Sequence, residues 1–111
     1  MNSKKKKKIK DYNKIIFDYC KSNNLYFPIP EYKFHNDRNW RFDFCWVKHK
    51  IALEIEGGIF IQGRHVRPKG FIDDMEKYNN AIDLGYKLFR CHPNNIIQVL
   101  ETCIRKNIIK E

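Results

Sequence analysis

The first part of the chain places its apolar residues at helical spacing. This pattern predicts a helix from Ile9 to about Asn23. The prolines of Phe27-Pro28-Ile29-Pro30 then favour an extended path, because a residue that precedes proline avoids the helical region. The residues that can share the apolar face of the helix are Ile9, Ile16, Phe17 and Cys20.

Two segments in the middle of the chain alternate between apolar and polar residues, as half-buried strands do. They run from Arg41 to Trp46 and from Ile51 to Glu56, and the polar Lys48-His49-Lys50 between them predicts a turn. We expect a hairpin with one face on the core, and an edge strand from Glu31 to His35. The core face is predicted to carry Phe42, Phe44, Trp46, Ile51, Leu53 and Ile55, and the polar face Asp43, Glu54 and Glu56.

Helical spacing returns between Phe71 and about Leu84, and Gly85 is a natural helix end. Tyr86 to Cys91 predicts a short strand, and Pro93 begins a last helix. The order helix, two or three strands, helix, strand, helix is typical of an α/β fold with a mixed β-sheet flanked by helices. We expect one domain over residues 9–111, preceded over residues 1–8 by a basic flexible arm or the frayed start of a helix.

The composition of the chain favours a polyanionic binding partner. The chain has 111 residues, 42% of them hydrophobic, and a formal net charge of +9. A basic excess of this size favours nucleic acid, and the alternative is a domain that merely carries extra lysines. The run Lys4 to Lys8 could also be a nuclear address, but no apolar segment of a signal peptide or membrane span follows it. We therefore expect a cytoplasmic protein without membrane contact.

The four cysteines are widely spread, and none forms a Cys-x-x-Cys pair, so a structural zinc site has little support. Without a signal peptide we expect reduced thiols that pack in the core. These residues are Cys20, Cys45, Cys91 and Cys103.

Three acids carry the candidate chemistry. Asp43, Glu54 and Glu56 would lie on adjacent strands and repel one another, and a divalent cation resolves that repulsion. Hard oxygen ligands suit Mg²⁺ or Mn²⁺, which can activate water and stabilise charge on a phosphate. An acidic cluster in a basic chain fits phosphodiester cleavage, whereas the alternative is that these are ordinary outward-facing strand residues.

Further candidates follow the second strand. His65 could act as general base or acid near neutral pH, or be a surface histidine. Asp74 and Lys77 lie one helical turn apart and could point back to the hairpin or form a solvent-exposed ion pair. Basic residues suited to phosphate contacts are Arg64, Arg67 and Lys69.

The combined motifs resemble phage-type endonucleases of the PD-(D/E)XK superfamily, in particular the branch related to very-short-patch repair endonucleases and to phage homing endonucleases with a Glu-Asp-His-Asp site. The similarity covers roughly Glu31 to Pro93. The motifs are specific for this superfamily only in combination, because any one of them alone is weak. The segments that carry it are Arg41-Phe42-Asp43-Phe44, Ala52-Leu53-Glu54-Ile55-Glu56-Gly57-Gly58, Gly63-Arg64-His65 and Glu76-Lys77-Tyr78-Asn79.

The resemblance implies a restriction-endonuclease-like core and Mg²⁺-dependent cutting of DNA. It makes Asp43 and Glu54 the metal ligands, Glu31 an orienting acid, His65 the catalytic histidine and Asp74 the acid of the following helix. The chain departs from the superfamily in one place, because Glu56 stands where a lysine is standard. Either His65 takes over proton transfer, which we prefer, or Lys77 reaches in from the helix.

The sequence thus predicts a metal-dependent DNA endonuclease, with a nickase as one form of it. Alternatives are a non-catalytic DNA-binding module with a nuclease-like fold and an RNA-directed nuclease. A single site cuts one strand, so double-strand cutting calls for a homodimer or a larger complex. If the chain is phage-encoded, it acts in the cytoplasm of a host cell.

Overall fold

The computed structural model describes residues 3–57 and 68–110, with side chains for residues 12–57 and 72–110. The helices and strands largely follow the hydrophobic periodicity of the sequence. A short 3-10 turn, Val47–His49, joins the second and third strands, and the chain ends in a π-helical turn, Leu100–Ile104, and a 3-10 turn, Arg105–Asn107. The elements are α1 (Ser3–Ser22), β1 (Ile29–Lys33), β2 (Arg41–Trp46), β3 (Ile51–Ile55), α2 (Pro68–Asp83), β4 (Lys87–Cys91) and α3 (Ile96–Val99).

The four strands form one sheet in the order β1-β2-β3-β4. The pairs β1–β2 and β2–β3 are antiparallel, whereas β3 and β4 are parallel. Parallel neighbours need a crossover, and α2 lies in the connection between β3 and β4. The predicted α/β class with a mixed sheet flanked by helices is confirmed, and β1 is the expected edge strand.

Both faces of the sheet are covered. One face packs with α1 and the C-terminal helices in a cluster that includes Ile16, Leu53 and Leu100. The other face carries a smaller cluster, which includes Ala52 of β3 and Ala81 of α2. The expected hairpin of β2 and β3 is confirmed. The face that was predicted to be polar is, however, partly apolar and is covered by α2.

The strand β2 does not alternate as regularly as its sequence predicts. Phe44 packs in the α1 cluster, but Phe42 is buried with Cys45 in the α2 cluster. Assigning Phe42 to the same face as Phe44 was wrong. The ladder between β1 and β2 is also interrupted opposite Asp43, where Glu31 has a left-handed backbone with φ of 53°. The irregularity places Asp43 at a break in the sheet.

The helices at the two ends of the chain compare differently with expectation. α1 begins at Ser3, so its backbone includes the lysine run, for which a flexible arm and the frayed start of a helix were the two alternatives. The last helix begins at Ile96, three residues after the predicted start at Pro93. None of the helices in the described part of the chain is long and apolar enough to cross a membrane. The cysteines are free thiols, and Cys20, Cys45 and Cys91 are buried as expected.

The central position of β3 predicts a strong dependence of stability on Leu53, which is fully buried. We expect Leu53→Ala to lower the free energy of unfolding by about 2 to 5 kcal/mol, because it removes buried methyl groups and leaves a cavity. Ile72→Ala, at a position 56% exposed on α2, is the matched control and should change it by less than about 0.5 kcal/mol. Urea unfolding followed by circular dichroism measures both, and equal effects would contradict the packing described.

Candidate active site

Asp43 on β2 and Glu54 on β3 face each other one position beyond the last paired residues, Phe44 and Leu53. The backbone N–H of Asp43 donates a hydrogen bond to Glu54 Oε2 at 3.0 Å. The backbone N–H of Ile55 donates to Asp43 Oδ2 at 2.7 Å. Each carboxylate therefore accepts a hydrogen bond from the strand that carries the other, and the two acids continue the ladder where regular backbone pairing ends.

Lys77 of α2 supplies a positive charge to this pair. Its ammonium group donates a hydrogen bond to Glu54 Oε1 at 3.0 Å. The side chains of Lys77 and Glu54 are only 15% and 9% exposed, so water screens their attraction weakly. Both oxygens of Glu54 are thus engaged, one by the backbone of Asp43 and one by Lys77.

Burial dominates the electrostatics of the two acids. It raises the pKa of Asp43 above its usual value, against the hydrogen bond from Ile55 and the charge of Lys77, which lower it. Burial, reinforced by the neighbouring Asp43 charge, raises the pKa of Glu54 to about 7. One lysine therefore does not fully offset two buried carboxylates, and another cation close to them would favour the state in which both are ionised.

Glu56, two residues further along the chain, has a different environment. Arg90 of β4 binds both of its carboxylate oxygens, with Nη2 at 2.8 Å from Oε1 and Nε on Oε2. The hydroxyl of Tyr78 donates a further hydrogen bond to Oε2 at 3.1 Å. The hydrogen bond from Arg90 is the main reason why the pKa of Glu56 is lowered. Glu56 is an ionised acid that already has its countercharge.

A cavity of about 110 Å³ lies beside Asp43 on the side of α1. Glu31 of β1 forms part of its wall, and Tyr12 and Asn13 of α1 form another part. Among the residues that the structure describes, none is a hydrogen-bond partner for the buried side-chain oxygen of Asn13, so the cavity has an acceptor for a donor group that enters it.

The structure brings some of the predicted residues together and leaves others apart. Glu31 is exposed, yet it lines the cavity with Asp43 and its charge contributes to the raised pKa of that acid. Asp74 is exposed on α2, where its charge contributes to the raised pKa of Tyr78 and of Arg90. The predicted residues His65, Arg64 and Arg67 lie outside the described residues, and of Lys69 only the helical backbone is described.

Four contributors to the site were missed by sequence reasoning. Tyr12 and Asn13 reach the cavity through the packing of α1, for which a single sequence carries no signal. Tyr78 follows directly on Lys77 in one of the motifs, but neither the motif nor the helical spacing gave it a role. Arg90 could have been suspected, because it is a basic residue inside the short apolar strand that pairs with β3.

The donor set can be tested against the predicted metal ion. Within the described ranges no group of three or more His, Cys, Asp or Glu side chains is arranged to hold a metal ion. Mg²⁺ is nevertheless commonly bound through one or two carboxylates, with waters and substrate oxygens as its other ligands. Two adjacent carboxylates with an incomplete countercharge, the buried Glu54 and the half-buried Asp43, fit that requirement. Glu56 does not, since Arg90 already supplies its countercharge and lowers its pKa.

No family model, curated protein or solved structure matches the chain. Function is therefore inferred from the geometry of the site and from the motifs of the sequence.

The raised pKa of Glu54 predicts that the stability of the metal-free protein depends on pH. The folded state binds a proton more tightly than the unfolded state, so the stabilisation is complete below the unfolded pKa of about 4.5 and is lost as pH rises through about 7. The loss is on the order of 3 kcal/mol, since one pKa unit corresponds to about 1.4 kcal/mol.

The control is Glu54→Gln, which has nearly the same shape and does not titrate, although its single amide oxygen can accept only one of the two hydrogen bonds that Glu54 accepts. Urea unfolding with a chelator present, at a series of pH values from 4.5 to 8, measures the difference between the two proteins. We expect the stability of wild type relative to Glu54→Gln to fall across this interval. A constant difference would show that Glu54 titrates normally in the folded protein.

Proposed function

We propose that this chain is a metal-dependent DNA endonuclease with a restriction-endonuclease-like core. The observation that supports it most directly is the pairing of Asp43 and Glu54 at the open end of the β2–β3 ladder. Two adjacent acids whose pKa values are both raised, mainly by burial, are an unfavourable arrangement for stability alone, and such arrangements cluster at functional sites. The fold contributes an antiparallel β1-β2-β3 meander, a crossover helix and a parallel β4, which suits this core.

In this proposal Asp43 and Glu54 hold Mg²⁺, and Mn²⁺ can substitute for it. A bound divalent cation lowers the pKa of water and offsets the charge of a phosphate during displacement. Lys77 adds a positive charge at 3.0 Å from Glu54, which suits stabilisation of a phosphate oxygen as its negative charge grows. Glu31 and Asn13, on the cavity side of Asp43, can accept hydrogen bonds from a water molecule and orient it.

Glu56 has a positioning role in this arrangement. Its contacts with Arg90 and Tyr78 join the end of β3 to β4 and to α2. Tyr78 is the neighbour of Lys77 in the chain, so the contact also fixes the turn of α2 from which Lys77 projects. The usual lysine is absent from the position of Glu56, and Lys77 brings an ammonium group to the same pair of acids from α2.

The choice of DNA as substrate follows from charge and from the motifs. The chain has a net charge of +9, which attracts a polyanion such as DNA. In this proposal the acidic site holds the metal ion where the phosphodiester bond is cut. Arg64, Arg67 and Lys69 remain predicted contacts to the phosphates. The described residues hold one such site, so we propose that a monomer nicks one strand and that double-strand cutting requires a homodimer.

The first test removes the metal-binding charge at Asp43. We expect Asp43→Asn to lower nicking of supercoiled plasmid in Mg²⁺ or Mn²⁺ by at least about a thousandfold, because asparagine can accept the hydrogen bond from Ile55 but cannot supply the charge. Asp83→Asn, at an exposed position at the end of α2, is the matched control and should cut like wild type.

DNA affinity measured in parallel separates the enzyme from a binding module. The enzyme predicts that Asp43→Asn binds DNA as tightly as wild type or more tightly, because a carboxylate near phosphates opposes binding. Wild-type protein that binds plasmid, branched and mismatched DNA but cuts none of them with either metal would support the module instead. Cleavage of a matched RNA in preference to DNA would support the RNA-directed alternative.

A second test concerns proton transfer and charge stabilisation by Lys77. We expect Lys77→Met to lower the cleavage rate by about a hundredfold or more. Lys77 also lowers the pKa of Glu54, so the acid limb of the pH–rate profile should move to higher pH in the variant. The profile is measured by single-turnover plasmid nicking, with His65→Ala in parallel. Near-normal rates in Lys77→Met, together with loss of activity in His65→Ala, would assign proton transfer to His65 alone.

A further inference from the structure

A second surface, at the opposite end of β2 from Asp43, combines exposed aromatic rings with positive charge. Tyr26 and Phe27 are 45% and 53% exposed, and Ile29 beside them is 49% exposed. They border a cavity of about 170 Å³, whose floor includes Trp46 at the end of β2. We call the surface formed by Tyr26, Phe27, Ile29, Lys48, His49 and Lys110 the aromatic patch.

The aromatic patch is held by a rigid backbone. The indole N–H of Trp46 donates a hydrogen bond to the carbonyl of Tyr26 at 2.7 Å. The N–H of Tyr26 donates to the carbonyl of Ile108 at 3.0 Å, and the N–H of Lys110 donates to the carbonyl of Asn24 at 3.1 Å. Bonds on both sides thus fix the segment that carries the rings, so a ligand would not have to order the segment when it binds.

Basic residues lie close to the rings of Tyr26 and Phe27. The ammonium of Lys110 lies 5.8 Å from the centre of the Tyr26 ring and 5.5 Å from that of Phe27. His49 packs against Tyr26 at 5.3 Å between ring centres, and Lys48 is exposed at the rim of the cavity. Acidic residues are absent from the described residues that line this cavity. The ligand that complements the patch therefore has a flat apolar face and carries negative charge.

Single-stranded nucleic acid has both properties, since its bases stack on aromatic rings and its phosphates pair with lysines. A duplex shields its bases and would use only the charges. An apolar protein partner would use the rings but gain nothing from Lys48 and Lys110. We propose that the aromatic patch binds a single-stranded segment of nucleic acid, separately from the site at Asp43.

The test measures affinity of the full chain for fluorescein-labelled oligo-dT and for a duplex of the same length, with a chelator present so that no cutting occurs. We expect Phe27→Ala to weaken oligo-dT binding about tenfold and duplex binding by less than twofold, because only unpaired bases can stack on the ring. Tyr26→Ala should act in the same direction. Ile82→Ala, at a 59% exposed apolar position on α2, is the control and should leave both affinities unchanged.

The charge of the patch is tested by the salt dependence of the same binding. Lys48→Gln should reduce the slope of log affinity against log salt concentration by about 0.7, the value expected for one lost phosphate contact on a single strand. Lys87→Gln on β4, the edge strand opposite β1, serves as its control.

Two results would overturn the inference. One is that Phe27→Ala and Tyr26→Ala bind oligo-dT as Ile82→Ala does. The other is that they leave oligo-dT affinity intact but convert a dimer into a monomer in sedimentation, which makes the patch a contact between copies of the chain. Because no cleavage is measured, loss of the proposed nuclease function would leave this test unaffected.

Discussion

The site depends on one constraint, the hydrogen bonds by which the Asp43 and Glu54 carboxylates each bind the backbone of the opposite strand. Regular pairing of β2 with β3 ends at Phe44 and Leu53, and beyond that point the two carboxylates bind the backbone of the opposite strand. The acids are therefore fixed in position before any ligand arrives. Preorganisation of this kind suits a site in which charge must be held at defined points. It has a thermodynamic cost, because two carboxyl groups lose water and their pKa values rise.

Glu54 and Glu56 show how environment decides the role of an acid. Glu54 lies near the end of β3 and Glu56 directly after that strand, and both contact side chains of α2. Glu54 is buried beside another acid, so it is easier to protonate. Glu56 lies where β4 presents Arg90, so it stays ionised and needs no further cation. The alternation pattern placed three carboxylates on one face, and the resemblance separated Asp43 and Glu54 from Glu56. The tertiary structure gives the first two raised pKa values and pairs Glu56 with Arg90.

Periodicity predicted the order of helices and strands, because burial of one face leaves a direct trace in the sequence. It predicted the neighbouring positions of Asp43 and Glu54 for the same reason, since a short turn between two strands sets their register. Periodicity assigned Phe42 to the wrong face of β2. The β1–β2 ladder is interrupted at Glu31 and Asp43, and the alternation of residue types in β2 gives no sign of this interruption. Contacts made by Asn13 and Arg90 depend on how distant elements pack, and no local pattern reports that.

The strand β2 links the two surfaces on which function is proposed. Asp43 lies near its start and Trp46 at its end, three residues and about 10 Å apart at the rise of an extended strand. Trp46 is also the residue whose indole holds the backbone of Tyr26 in the aromatic patch. A strand is stiff over this length, so a nucleic acid held on the patch would lie at a nearly fixed distance from the paired acids. If both proposals hold, the chain would select the place of cutting by the presence of unpaired bases close to it. A small domain with little surface for reading a long sequence can obtain selectivity in this way, through the structure of its substrate.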